Sequence, residues 1–211
     1  MTILKPLSQK EIRNLNYEVA ERLTGLQPLK TMVKIESWKN KKCYGIGLND
    51  PERDLILRNF VRIMQSFFKA YPISSETIVA LIDTSNTSRD CIMSGFTNYH
   101  FDYNTTSTLG TLLGFGNPAS APTPARTDYE LASLVTTINP SSVTIDETNY
   151  RIIITGAYVW AAGGTVREAG MYYKGQAKAG TIYTFLWYHD ATADVAVPAG
   201  GTVSVTYTTQ F

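Results

Sequence analysis

GTVSVTYTTQF, residues Gly201 to Phe211, alternates: Val203, Val205, Tyr207 and Phe211 fall on one face, and Thr202, Ser204, Thr206, Thr208 and Gln210 on the other. A period of two with one hydroxyl-rich face specifies an antiparallel strand that covers a core on one side and meets water on the other. Upstream, TIYTFLWYHD (Thr181 to Asp190) is heavier. Tyr183, Phe185 and Trp187 share one side, and Ile182, Leu186 and Tyr188 the other. Such a strand is expected to be covered on both faces, by inserted structure or by a partner copy. From Tyr150 onward one strand pattern follows another with Gly-containing turns between, and the shorter runs ETIVALID and CIMSGF, bounded by Ser, Asn and Asp, read as strands further upstream.

The first third reads differently. In LSQKEI, Ser8 caps a helix whose Glu11 reaches back to the Ser8 amide, with Leu7 and Ile12 as a hydrophobic staple. The helix is expected over 9–23, with Ile12, Leu15, Val19 and Leu23 as its stripe and Gly25 beyond its end. NDPERD starts a second, capped by Asp50 with Pro51 in its first turn. It is expected to run to Ala70, burying Leu55, Ile56, Phe60, Ile63, Met64 and Phe67. The division that follows is a helical, basic attachment region over 1–75 and an antiparallel β domain over 76–211. Between strand regions lies a Pro/Ala-rich loop from Asn117 to Arg126, after which TDYELASLV regains helix or strand character, with Thr127 or Asp128 as its cap.

The chain has 211 residues, a formal net charge of +1 and 18% charged residues, with Tyr, Thr and Gly abundant, which suits a sheet protein and does not suit a nucleic-acid binder. The charge is unevenly spread. Residues 1–80 hold 13 Lys and Arg against 8 Asp and Glu, a net +5, and the remainder holds 6 against 10, a net −4. Trp38, Lys39, Lys41 and Lys42, with Tyr44, form the one basic and aromatic patch, a candidate contact with phosphates or with an acidic protein surface. Trp187 is a second partner-contact candidate. The N-terminus lacks the apolar run of a signal peptide, and no stretch approaches the roughly 20 apolar residues of a membrane span, so a cytosolic origin is expected. Cys43 and Cys91 stand alone, without metal-ligand or redox spacing.

Chemistry-bearing residues are few. His100 and His189 sit among aromatics at strand ends, where hydrogen-bonded structural roles are the default, and HExxH, GxSxG and CxxC are absent from the sequence. The stretch GTVREAGMYYKG (Gly164 to Gly175) places a charged pair inside a strand. In an extended strand Val166, Glu168 and Gly170 share a face and Arg167, Ala169 and Met171 the other, so Arg167 and Glu168 point apart. Glu168 then needs outside donors, most simply the backbone amides of a neighbouring loop or an Arg elsewhere in the chain, and reads as a peg that pins a loop to the strand. Gly170 allows a bulge or a close backbone approach. Neither a catalytic residue, a metal site nor a cofactor is assigned.

LLGFGNPASAPTPARTDYEL (Leu112 to Leu131), VREAGMYY (Val166 to Tyr173) and VPAGGTVSVTYTTQF (Val197 to Phe211) together resemble a family of tailed-phage virion accessory proteins of head, neck or tail. Members show a glycine turn, a Pro/Ala/Thr loop to Thr-Asp and Leu, a hydrophobic-x-Glu-x-Gly-Leu-aromatic strand, and a Pro-x-Gly turn before an alternating strand ending in Phe. Met171 stands where Leu is usual, and Phe115 interrupts the glycine turn. The resemblance implies a jelly-roll-like antiparallel β-sandwich, preceded here by the two helices. It implies Glu168, Gly170, Tyr172, Asp128 and Gly200 as structural motif residues. It also implies a non-enzymatic place in a virion assembled in the host cytoplasm, among capsid, portal or tail proteins.

Self-association, as a trimer, is expected through the strand Thr181 to Tyr188. Two other readings compete. A receptor- or carbohydrate-binding module of a tail fibre would use exposed aromatics among Tyr99, Tyr103, Trp160, Tyr172, Tyr173 and Tyr188. A hydrolase would need a partner for Glu168 from Asp128, Asp190 or Asp194.

Overall fold

A computed structural model describes residues 30–48, 55–56, 59, 78–92, 110–125, 127–177 and 180–210. They form twelve strands: β1 (Lys30–Lys39), β2 (Lys42–Leu48), β3 (Leu55–Ile56), β4 (Ile78–Ile82), β5 (Ser88–Ile92), β6 (Gly110–Gly116), β7 (Leu134–Ile138), β8 (Ser142–Asp146), β9 (Arg151–Trp160), β10 (Gly164–Gln176), β11 (Ile182–Val197) and β12 (Gly201–Gln210). The protein is mainly β and its sheets are antiparallel. One five-stranded sheet has the order β2-β1-β12-β9-β8, a second the order β3-β11-β10-β6-β7, and β4 and β5 make a separate hairpin.

The alternation of β12 sets the first sheet. Val203, Val205 and Tyr207 are fully buried, while the Thr and Ser side chains between them face outward, Thr206 meeting Thr155 of β9 at 3.3 Å. On its other edge β12 pairs with β1 from Lys30↔Gln210 to Trp38↔Thr202. Val33 and Ile35 of β1 join the same core, together with Leu113, Phe115, Ala169, Met171, Phe185, Trp187 and Val195 of the second sheet. Both sheets therefore drain apolar area into one cluster, the main source of stability in such a chain.

The chain crosses between the sheets twice at the same end. The β9–β10 corner passes through Gly163 (φ 69°), where a Cβ would press on Ala199 N and Val197 O at 2.6 Å. Across from it, in the β11–β12 corner, Gly200 (φ 69°) donates its amide to Trp160 O at 2.9 Å. Each corner thus holds the other in place.

Several expectations are corrected. The boundary at residue 75 fails, because β1 and β2 lie in the sheet of β12 and belong to the β domain. Their alternation is obscured by apolar residues on the outer face, Met32 and Trp38. The second helix cannot begin at Pro51, since Leu55 and Ile56 are extended and pair with His189 and Tyr188. Its continuation apart from Asn59, like the helix expected over 9–23 and like His100, Tyr99, Tyr103 and Phe211, lies outside the described residues. TDYELASLV starts no helix. It is irregular until Leu134, where β7 pairs with β6.

Both faces of β11 are covered within one chain. Phe185, Trp187 and Tyr188 enter the main core, and Leu186 joins Leu112, Leu131 and Tyr172 in a second cluster. A register shift between Met171 and Tyr172 inserts Trp187 as an extra residue in β11 and allows this division. Trp187, 2% exposed and stacked 5.1 Å from Tyr173, is not a partner contact, and the reason for a trimer through this strand falls away.

Candidate functional site: a buried carboxylate and imidazole clamp

A second register shift in the β10–β11 pair, between Val166 and Glu168, reverses which face β10 presents. Val166 therefore shares the main core with Ala169 and Met171, contrary to the simple alternation. Glu168 and Tyr172 lie on the other face, as does Gly170, over which the segment 117–133 passes. That face is flattened by glycine. A Cβ on Gly116 would overlap the Glu168 carboxylate, and one on Gly114 would stand 2.7 Å from the Tyr172 ring. On Gly170 it would meet Leu186 at 2.9 Å and Leu131 at 3.0 Å. These glycines let a loop lie directly on a sheet. No bulge occurs at Gly170 itself, which pairs in register with both His189 and Gly114.

Glu168 is completely buried. Its Oε1 accepts the Ser133 amide at 2.8 Å and its Oε2 the Ala132 amide at 3.0 Å. His189, 3% exposed, places Nε2 at 2.9 Å from the same Oε2 and Nδ1 at 2.6 Å from Asp128 Oδ2. Asp128 Oδ2 also accepts the Ala125 amide at 2.8 Å, closing a turn, and the Leu131 amide donates to the Tyr172 hydroxyl at 3.3 Å. Burial pushes the Tyr172 phenol up, so that it stays neutral. A carboxylate taken out of water is tolerated only with such donors. Both ring nitrogens of His189 thus lie within hydrogen-bonding distance of a carboxylate, so one imidazole bridges Asp128 and Glu168.

Beside the clamp, Arg167 makes two bonds to Asp194, at 3.0 and 3.1 Å, and one to Pro118 O at 2.7 Å, tying the start of the same loop. Asp194 is thereby engaged by Arg167, while Asp128 and Glu168 are bridged by one imidazole.

Sequence reasoning passed over two further anchors. Asn59, 3% exposed, donates to Ile82 O and Leu186 O and accepts the Ile82 amide, joining β4 to β11. Asp83 accepts the Ser85 and Thr87 amides and Arg89 Nε at 2.7 Å, shaping the β4–β5 turn, while the Arg89 guanidinium lies 4.2 Å over the Tyr183 ring. Asx turns of this kind are signalled by Asp two to four residues before Ser or Thr.

The basic patch is the tip of the β1–β2 hairpin. Asn40 (φ 51°) and Lys41 (φ 63°) form its two-residue turn, the twist that joins such strands. Lys39 is drawn back to Ala199 O at 2.6 Å and Lys42 sits 5.3 Å over Tyr44. Lys41 and Trp38 are exposed. Cys43 and Cys91 are free thiols, and burial pushes Cys91 up to about 12. Of the aromatics considered for sugar stacking, Trp160, Tyr172, Tyr173 and Tyr188 are buried and offer no open ring face.

Among the described residues no group of three or more His, Cys, Asp or Glu side chains is arranged to hold a metal ion, and no helix is long and apolar enough to cross a membrane. The chain matches no protein-family model, no curated protein and no solved structure.

Proposed function

We propose that this chain is a non-enzymatic structural protein of a tailed-phage virion, a capsid-decoration, neck or tail accessory protein built as a jelly-roll-like β-sandwich. One observation carries the reading. Two of the three segments that resemble the virion family, far apart in sequence, meet at one place: Asp128 and Leu131 of the loop, Glu168 and Tyr172 of β10, and the glycines of β6 form a single clamp. A short motif retained for chemistry would present its acid to a cleft. Here the acid is spent on the chain's own amides and imidazole, which supports a structural role for Glu168, Gly170, Tyr172 and Asp128, with Gly200 closing the second corner.

The partners of such a protein are capsid, portal or tail proteins. The hairpin tip bearing Trp38, Lys39, Lys41 and Lys42 is the candidate contact with an acidic one of them. The test is mass spectrometry of density-purified particles from the phage whose genome encodes the chain. Presence at a fixed ratio to the major capsid or tail protein is the expected result. Expression in the infected cell with absence from particles would overturn the proposal.

A further inference from the structure

The outer face of the sheet β2-β1-β12-β9 has no layer over it among the described residues, and it is not an ordinary solvated face. Met32, Trp38, Tyr44, Ile46, Leu48 and Val159 project from it with 40% to 62% of their surface exposed. The intervening positions on β12 are Thr202, Ser204, Thr206 and Thr208. Large apolar side chains left exposed together on one sheet face, around a polar centre, mark a surface suited to an interface. The charges at its centre are one opposite pair, Lys34 and Glu36, adjacent on the outer side of β1 and 2.9 Å apart.

We propose that this face binds a second copy of the same chain about a two-fold axis that lies in the plane of contact and crosses β1 at Ile35. The argument is self-complementarity. Such an axis reverses strand direction but leaves each strand facing its own copy, so Lys34 meets Glu36 of the second chain and Glu36 meets Lys34. The register of β2 on β1, Glu36↔Ile46 and Lys34↔Leu48, makes the same rotation lay Ile46 on Leu48. Met32 falls opposite Trp38, and the hydroxyl ladder of β12 meets itself. An interface in which residue i meets j and j meets i is what a closed dimer requires.

The area suffices. Four strands about 4.8 Å apart and eight residues rising about 3.3 Å each make a face of roughly 20 by 26 Å. Two such faces supply roughly the 1,000 Å² in total that a specific interface needs. The inference stands on this face alone and does not depend on the virion reading.

Sedimentation velocity across the micromolar range is the test, with circular dichroism to verify that each variant is folded. The wild-type chain is expected to dimerise. Lys34→Glu and Glu36→Lys alone should each weaken the dimer at least about tenfold, since each sets like charges opposite one another twice. Mixing the two single variants should restore a heterodimer, because every carboxylate then faces an ammonium across the axis; the Lys34 to Glu36 pair within one chain cannot produce that result. Ile46→Lys should abolish association with the fold intact. A wild-type monomer at all concentrations overturns the proposal. So does a dimer indifferent to Lys34→Glu and Ile46→Lys, or a mixture of single variants that stays as weak as its components.

Discussion

The two sheets treat their outer faces in opposite ways. Over β10 and β11 the chain lays its own loop, and beneath it buries a glutamate, a histidine and a leucine cluster. Over β1, β12 and β9 it lays nothing among the described residues, and leaves hydroxyls and large apolar side chains in the open. Side-chain size marks the difference. The covered face carries Gly114, Gly116 and Gly170 where the loop must come close, whereas on the open sheet β2 turns Gly45 and Gly47 inward, against Val195. A sheet face that will receive backbone is made flat, and one that will receive another surface keeps its side chains.

The contrast breaks hardest from the inside. Val205→Asp puts a carboxylate into the shared core with no donor arranged for it, at a cost of several kcal/mol, comparable to the whole stability of a domain. The expected outcome is insoluble protein or a melting transition lost by circular dichroism. Next comes the covered face. Gly116→Ala forces the Glu168 carboxylate off its two amides, a strain of about 1 to 3 kcal/mol. Glu168→Gln should be similar, about 1 to 3 kcal/mol, because one of its termini becomes a donor facing a donor. For both, amide exchange at Ala132 and Ser133 should quicken ahead of exchange in β12.

A smaller effect comes from the β4–β5 turn. Burial opposes the charged form of Asp83, but the Arg89 guanidinium and the Thr87 and Ser85 amides outweigh it and hold the carboxyl below its usual value. A lowered folded value means that the stabilisation is complete above the unfolded value of about 3.9 and is lost as pH falls through the folded one. The acid limb of the melting temperature should flatten in Asp83→Asn. The smallest effect is on the open face: Thr206→Asp should change monomer stability by less than about 0.5 kcal/mol. Equal loss in Thr206→Asp and Val205→Asp would refute the assignment of faces on β12.

How much of this could be read beforehand varies with how local its cause is. The faces of β12 were legible because burial there follows period two without interruption. β1 was not, since Met32 and Trp38 put apolar residues on both sides of the strand and hid Val33 and Ile35 among them. That Glu168 needs an outside donor, a loop amide or a distant Arg, followed from charge, but the choice between them and the particular amides did not: Ala132 and Ser133 act through backbone, which is the same for every residue. His189 belongs to the clamp through a contact 61 residues away from Asp128, beyond any local pattern. The two register shifts were equally silent, and one of them reverses the expected face of Val166.

The place of β12 between β1 and β9 has a consequence for how the molecule is made. Chains are synthesised from the N-terminus at about 5 to 20 residues per second, so the middle strand of this sheet is the last of its five to leave the ribosome. Until then β1 and β9 each have an unpaired edge, and Val33, Ile35 and Ile154 lack the strand that joins them into one face. The second sheet is complete sooner. The growing chain therefore waits, half-assembled and prone to pairing with other nascent copies, for the ten residues that close it.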